Sequence, residues 1–138
     1  MSLAASKQEI VAFMQAAFPR SRFSIVEAGH KAATIRHAVT PDDLRPGDTV
    51  SGPTMMALAD TALYVAIHAT LGITPHAVTS SLNINFLRRP SATQALVAVC
   101  KLLRVGRSLV VGEVSICSDG DAEPVAHVVG TYAIPPNR

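Results

Sequence analysis

Gly52-Pro53-Thr54-Met55-Met56-Ala57-Leu58-Ala59-Asp60-Thr61-Ala62-Leu63-Tyr64-Val65-Ala66-Ile67-His68-Ala69-Thr70-Leu71 is the stretch on which the architecture turns. Gly52-Pro53 opens a helix, because proline suits the first helical position, where its missing N–H has no partner to lose. Gly72 and Pro75 end it, so the helix is expected from Pro53 to about Leu71. Met55, Met56, Leu58, Ala59, Ala62, Leu63, Val65, Ala66, Ile67, Ala69 and Leu71 point in nearly every direction around its axis. A helix that is apolar all round is wrapped on all sides. The same stretch could be taken for a membrane span, but a central Asp costs about 2.5–3.5 kcal/mol on insertion. Asp60, Tyr64 and His68 therefore favour a buried core helix and no membrane.

What wraps the helix lies on both sides of it. Upstream, Ser6-Lys7-Gln8-Glu9 reads as a capping box. Ile10, Phe13, Met14, Ala17 and Phe18 then follow at helical spacing, and Pro19 stops this N-terminal helix within residues 1–20. Phe23 to Ala28 and Ala32 to Ala38 read as strands around a Gly29-His30-Lys31 turn. Pro41, Asp42, Asp43, Pro46, Gly47 and Asp48 make Val39 to Val50 a long loop, and loops of that length are often functional. Downstream, Val78 to Leu87, Ala95 to Val105, Ser108 to Ser118 and Val125 to Ile134 are strand-like, with turns at Gly106-Arg107 and Asp119-Gly120-Asp121. The short final turns imply an antiparallel meander. The fold class expected is α+β, a curved antiparallel sheet wrapped around one long central helix, in a single domain over residues 1–138.

At 138 residues the chain has room for one core and not two. Charged residues are 16% of it, against roughly 25% in an ordinary soluble domain. Hydrophobic residues are 49% and mean hydropathy is +0.31. That excludes disorder. It also leaves too little polar surface for a lone small monomer, so a subunit interface is expected to hide apolar surface. A net charge of +2, aromatic residues at 4% and no Trp argue against a nucleic-acid partner. Cys100 and Cys117 have neither metal-like spacing nor the numbers for a disulfide framework, and read as two small buried thiols. With no leader-like segment visible, a cytoplasmic protein is expected.

Asp60 is the residue that calls for a reason. A carboxylate among Leu58, Ala59, Ala62 and Leu63 is costly unless it is paired or hydrogen-bonded. No Lys or Arg occurs between Arg45 and Arg88. Tyr64, at i+4, could satisfy it structurally, as could an edge open to solvent; otherwise it is a catalytic group. Gly52, as the cap of the helix, offers an N–H at the positive helix pole, where an oxyanion would be stabilised. Eight residues separate the two, or about 12 Å along a helix at 1.5 Å per residue. An oxyanion donor must lie about 3 Å from the reacting oxygen. One helix does not easily bring both groups to one carbonyl, whereas two antiparallel copies related by a two-fold axis could, with two equal sites at the interface.

Leu44-Arg45-Pro46-Gly47-Asp48-Thr49-Val50-Ser51-Gly52-Pro53, Met56-Ala57-Leu58-Ala59-Asp60 and Leu82-Asn83-Ile84-Asn85-Phe86-Leu87-Arg88 resemble the PaaI-like branch of the hotdog-fold acyl-CoA thioesterases. The likeness covers the chain from about Phe23 to its end. It implies a hotdog fold, a homodimer or dimer of dimers, and hydrolysis of an acyl-CoA thioester to acid and coenzyme A. No further cofactor and no metal are implied, coenzyme A being part of the substrate. By position, Gly52 matches the glycine whose amide polarises the carbonyl, and Asp60 the acidic base or nucleophile. Thr79 matches the Ser or Thr that positions water, with Ser80 or Ser81 in its place if the register slips. The family pattern has His where Ser51 stands, and often Asn about where Arg45 stands. Ser51 can still donate a hydrogen bond but cannot be protonated as His can.

Arg88, Arg89, Lys101, Arg104 and Arg107 crowd one twenty-residue window. Arg88, Arg104 and Arg107 are candidates for the phosphates of coenzyme A. Arg45, Pro53, Ser80 and Ser81 are candidates for other substrate contacts. Leu82, Ile84 and Phe86 should face the central helix, and Ser81, Asn83 and Asn85 should face away. Two further readings stay open: a non-catalytic hotdog protein that binds an acyl thioester, and a hotdog enoyl-thioester hydratase or dehydratase. The absence of Gly-x-Ser-x-Gly, of a glycine-rich phosphate loop and of a dinucleotide fingerprint argues against those enzyme classes.

Overall fold

Ser6 caps the first helix as its sequence requires. The computed structural model describes residues 4–136, and in it the Ser6 hydroxyl accepts the Glu9 N–H (3.1 Å) while Glu9 Oε1 accepts the Ser6 N–H (2.9 Å). The outermost ends of the expected domain, residues 1–3 and 137–138, lie outside the described residues. Helix α1 spans Lys7–Ala17, and strands β1 (Phe23–Gly29) and β2 (Ala32–His37) form a hairpin. A 3-10 turn at Pro41–Asp43 and the short strands β3 (Leu44–Arg45) and β4 (Thr49–Val50) order the loop before helix α2 (Gly52–Leu71). β5 (Val78–Phe86), β6 (Leu96–Val105), β7 (Leu109–Ser118) and β8 (Ala126–Ala133) follow.

The six long strands make one antiparallel sheet in the order β1-β2-β6-β7-β8-β5, curved around α2: the hotdog arrangement. The meander expected from the short final turns is β6-β7-β8. β5 pairs with β8, not with its sequence neighbour β6, and so becomes an edge strand. The nine residues between β5 and β6 are long enough to cross the sheet end, which a hairpin turn could not do.

Two expectations about α2 need correction. It starts at Gly52, with Ser51 and not Gly52 as its cap, and Pro53 is the second helical residue. The wrapping is also incomplete. Ten side chains from Met55 to Ala69 are buried against the sheet and α1, which accounts for the membrane-like length and composition of this helix. Pro53, Met56 and Ala57 are exposed, and Asp60, Thr61 and Tyr64 only half-buried, so one stripe stays open. Phe86, expected to face the helix, does so at its N-terminal end but remains half exposed at 51%.

Gly112 on β7 and Gly130 on β8 sit directly opposite each other. A Cβ at Gly112 would lie 2.6 Å from Leu63 Cδ2, and one at Gly130 would lie 2.5 Å from Leu63 Cδ1. The pair leaves a notch in the sheet that Leu63 fills, so the helix sits closer than side chains would allow. Gly130→Ala should therefore lower unfolding stability by about 1–3 kcal/mol through overpacking, read from the midpoint of a urea transition.

His68 is wholly buried and half satisfied. Its Nδ1 accepts the Thr74 N–H (3.0 Å), while Nε2 has no partner among the described residues. Phe13 and Tyr64 meet its ring edge-on at 5.1 and 4.2 Å. Burial pushes its pKa down from 6.5 to about 4. Between those values the unfolded chain takes a proton that the folded chain refuses. Stability should be full above about pH 6.5 and fall, by on the order of 3 kcal/mol, as pH drops toward 4. His68→Gln should flatten that part of the stability–pH curve.

Candidate functional site

Asp60 is not the unpartnered carboxylate its neighbours in sequence suggest. Its Oδ1 accepts the Thr79 hydroxyl at 2.6 Å and the Tyr132 hydroxyl at 2.7 Å, and Tyr132 also reaches the Asp60 carbonyl at 3.0 Å. Tyr64, the partner offered by helical spacing, instead donates to the Pro75 carbonyl (3.2 Å). Asp60 Oδ2 has no hydrogen-bond partner among the described residues, so one carboxylate oxygen is held and the other is free to act. Burial, and then the adjacent carboxylate, push the Tyr132 pKa well above the usual phenol range, so it stays a donor.

The backbone of β5 explains why Thr79 is the residue that arrives there. Thr79 pairs with Tyr132 and Ser81 with Thr131, leaving Ser80 as an extra residue in a bulge. Strict alternation back from Leu82 and Ile84 would have turned Ser80 toward the helix. The bulge shifts the phase by one, so Thr79 and Leu82 share the inner face. Ser80 is exposed in the bulge, and Ser81 stands opposite the outward-facing Thr131.

At the start of α2, the Ser51 hydroxyl accepts the Thr54 N–H (3.2 Å) and bonds the Thr54 hydroxyl (2.8 Å). Ser51 thus caps the helix. The Gly52 N–H has no partner among the described residues and stands at the positive pole of a twenty-residue helix. The Phe86 ring lies over Gly52, where a Cβ would come within 3.1 Å of Cζ. On one helix, Gly52 and Asp60 remain about 12 Å apart along the axis.

Asp43 anchors the loop that leads to this point, and sequence reasoning did not single it out. It is 4% exposed. Its carboxylate accepts Arg22 Nη2 (2.9 Å), the Thr40 N–H (2.9 Å) and a bond with His37 Nε2 (3.0 Å), and its carbonyl accepts the Ser51 N–H (2.8 Å). Burial alone would raise its pKa, but the Thr40 amide, His37 and Arg22 outweigh that and hold it below the ordinary value. One buried carboxylate so ties β1's approach, β2's end and the helix start together.

The other candidates are more scattered. Arg45 is exposed on β3, and Pro53 is exposed at the helix start beside Gly52. Arg88 is already engaged, with Glu123 at 2.9 Å and Asp121 at 3.1 Å. Arg89 donates to the Gly47 carbonyl. Arg104 and Arg107 are exposed near the β6–β7 turn and have no ion-pair partner among the described residues. Cys100 is buried as expected, its pKa pushed up to about 12 by burial and by Glu113, so it is no nucleophile; Cys117 is only partly buried. Among the described residues no cluster of three or more His, Cys, Asp or Glu could hold a metal ion.

Residues 47–125 match the Thioesterase superfamily pattern. Among solved structures, a protein from a Silicibacter species described as a candidate thioesterase is 39% identical, covers 99% of this chain and 96% of its own, and superposes with a TM-score of 0.90. PaaI of the phenylacetic acid degradation operon of E. coli is 21% identical over 96% of this chain and 98% of its own, with a TM-score of 0.80. The smu.793 protein of Streptococcus mutans, solved with acetyl CoA, is 18% identical over 86% and 93%, with a TM-score of 0.76. The last two share the fold. No curated protein sequence matches the chain. With the family pattern spanning over half of its length and a 39% identical relative matching it nearly end to end, the chain belongs to the Thioesterase superfamily and has the hotdog fold.

Proposed function

We propose that this protein hydrolyses acyl-CoA thioesters to a free acid and coenzyme A, in a site completed by a second copy of the chain. Thioester hydrolysis is the general chemistry of the superfamily to which it belongs. The observation that carries the reading is the half-held Asp60: Thr79 and Tyr132 fix one oxygen, and the other is free beside an open stripe of α2. In the proposed reaction the Gly52 N–H of one protomer, aided by the helix pole, holds the thioester carbonyl oxygen. Asp60 of the other protomer takes a proton from water as it attacks, or attacks the carbonyl itself to give a mixed anhydride that water then cleaves. Collapse of the tetrahedral adduct breaks the C–S bond, and the sulfur leaves with the coenzyme. No resident cofactor is needed. Arg104 and Arg107, which have no ion-pair partner among the described residues, are stronger candidates for the coenzyme phosphates than Arg88, which is paired with Asp121 and Glu123.

Two features support the dimer. β5 is a nine-residue edge strand with no charge and no proline, the devices that usually guard an edge. Val78 (55% exposed) and Phe86 on that strand, with Met56 on α2, leave apolar surface uncovered beside Asp60 and Gly52. The proposed setting is the cytoplasm, in a dimer or dimer of dimers.

Thiol release from a panel of acyl-CoAs tests the chemistry. Asp60→Asn should lower kcat by about 10²–10⁴-fold. Binding without turnover by the unmodified protein would point to a carrier of acyl thioesters, and hydration of an enoyl-CoA to a hydratase. Mixing Asp60→Asn with Gly52→Val, each nearly inactive, should restore about a quarter of the unmodified rate after subunit exchange, since half the dimers would then hold one intact site. No recovery with exchange verified would mean that both groups act within one chain. Tyr132→Phe should keep the fold and reduce kcat more than it raises KM, because it loosens the carboxylate without touching the substrate.

A further inference from the structure

Arg22 reaches from the α1–β1 connection to the loop before α2, and none of its hydrogen bonds goes to Gly52 or Asp60. Its Nη1 donates to the Thr40 hydroxyl and its Nη2 to Asp43 Oδ1 at 2.9 Å. Asp43 Oδ2 takes the Thr40 N–H (2.9 Å) and bonds His37 Nε2 (3.0 Å). The backbone of Asp43 continues the connection, because its carbonyl accepts the Ser51 N–H at 2.8 Å. A guanidinium 41% exposed is thus coupled, through a carboxylate 5% exposed, to the residue that caps α2.

Ser51 is held on two sides. Asp43 fixes its N–H, and Thr54 fixes its hydroxyl through both a backbone and a side-chain bond. With these contacts made, Ser51 stands at φ −69° and ψ 150°. The Gly52 N–H belongs to the planar peptide that follows, so this ψ decides where it points. Pro53 brings no N–H that could take its place. An oxyanion donor works only at about 2.7–3.1 Å from its target, and a misplacement on the order of 1 Å costs about 10²-fold.

An ion pair with one partner this exposed adds little to stability. What Arg22 supplies is direction: two N–H groups of one planar guanidinium bind two residues of one turn, a fixed fork that Lys does not offer. Arg22, His37, Asp43 and Thr54 also line a hollow of about 240 Å³ beside the helix start, which opens the pair to small solutes.

The geometry points to Arg22 and Asp43 as positioning residues for thioester cleavage, which hold Ser51, and through it the Gly52 N–H, at the angle the carbonyl oxygen needs. The inference rests on the thioesterase reading above. Control of the oxyanion donor then lies partly in the connection after the N-terminal helix, in a side chain that meets no reacting atom.

Arg22→Ala, made at an exposed side chain, supplies the test. Its kcat on acyl-CoA should fall about tenfold or more, with KM within about twofold. Arg22→Lys should recover only part of the loss, since an ammonium pairs with Asp43 without the fork to Thr40. Millimolar guanidinium, far below denaturing concentrations, should enter the space left in Arg22→Ala and raise its kcat about threefold or more. Urea, its uncharged analogue, and sodium chloride at equal ionic strength should not. The rescue should vanish when Asp43→Asn is added, which leaves the ion no carboxylate; rescue there too would overturn the role given to Asp43. An unchanged kcat, a rise in KM with kcat kept, or a loss that guanidinium leaves untouched would overturn the assignment. Amide hydrogen exchange reads the geometry without turnover. Residues 49–55 should exchange faster in Arg22→Ala and slow again with guanidinium, while β6 and β7 keep their protection. If the unmodified protein hydrolyses no thioester but this pattern holds, the proposed reaction fails and the coupling of Arg22 to the helix start stands. If thioesters are hydrolysed and Arg22→Ala changes neither exchange nor kcat, the coupling fails and the reaction stands.

Discussion

Gly112 and Gly130, facing each other across β7 and β8, set the depth at which the central helix sits in the sheet. Leu63 enters the notch they leave, and Asp60 lies one turn earlier on the same helix. Tyr132 lies two residues beyond Gly130 on the same strand and the same face, so its hydroxyl comes up against Asp60 when Leu63 is seated. β5 then adds Thr79 through its bulge. A contact between one leucine and two missing side chains thus positions a carboxylate that touches neither glycine.

The start of the helix is fixed by different means. Asp43, buried and hydrogen-bonded by three groups from three segments, holds the loop before Ser51, and its carbonyl takes the Ser51 amide. Ser51 takes the Thr54 amide in turn, which leaves the Gly52 N–H as a donor without a partner at the helix pole. A buried carboxylate with this many donors is stable as an anion, and removing a donor would leave a buried charge less well compensated. The His that the family pattern places before the glycine is replaced here by a serine whose hydroxyl is committed to capping. The helix start therefore depends on backbone geometry and not on an imidazole.

The open stripe of α2 and the bare edge of β5 lie on the side of the molecule that carries Asp60 and Gly52. An edge strand without charge or proline, beside an exposed Met and Phe, is an incomplete surface in physical terms. The low share of charged residues is consistent with this uncovered apolar surface. An apolar hollow walled by α1 opens on the same stripe, lined by Asp60, Thr61 and Tyr64 together with Met14 and Phe18.

Local rules were enough for much of this. The Ser6 capping box, the long helix, the strands flanking it and the α+β class all follow from short-range spacing, because capping and periodicity are properties of neighbours in sequence. Asp60 stood out for the same reason, as a charge in an apolar run, and the resemblance marked Gly52 and Thr79 alongside it. What spacing could not supply was everything that depends on distant segments meeting. Tyr132 lies 72 residues from Asp60, and nothing in its own stretch announces that it serves a carboxylate. The two strand glycines drew no reading from the sequence; their meaning came only with the leucine between them. The phase of β5 turned on one bulged serine, β5 left the meander for the far edge, and Arg88 proved to be paired with acids more than thirty residues away. Sequence set which groups were available; three-dimensional packing alone decided which of them meet, because contacts between remote segments depend on the register and depth of the whole sheet and not on any local pattern.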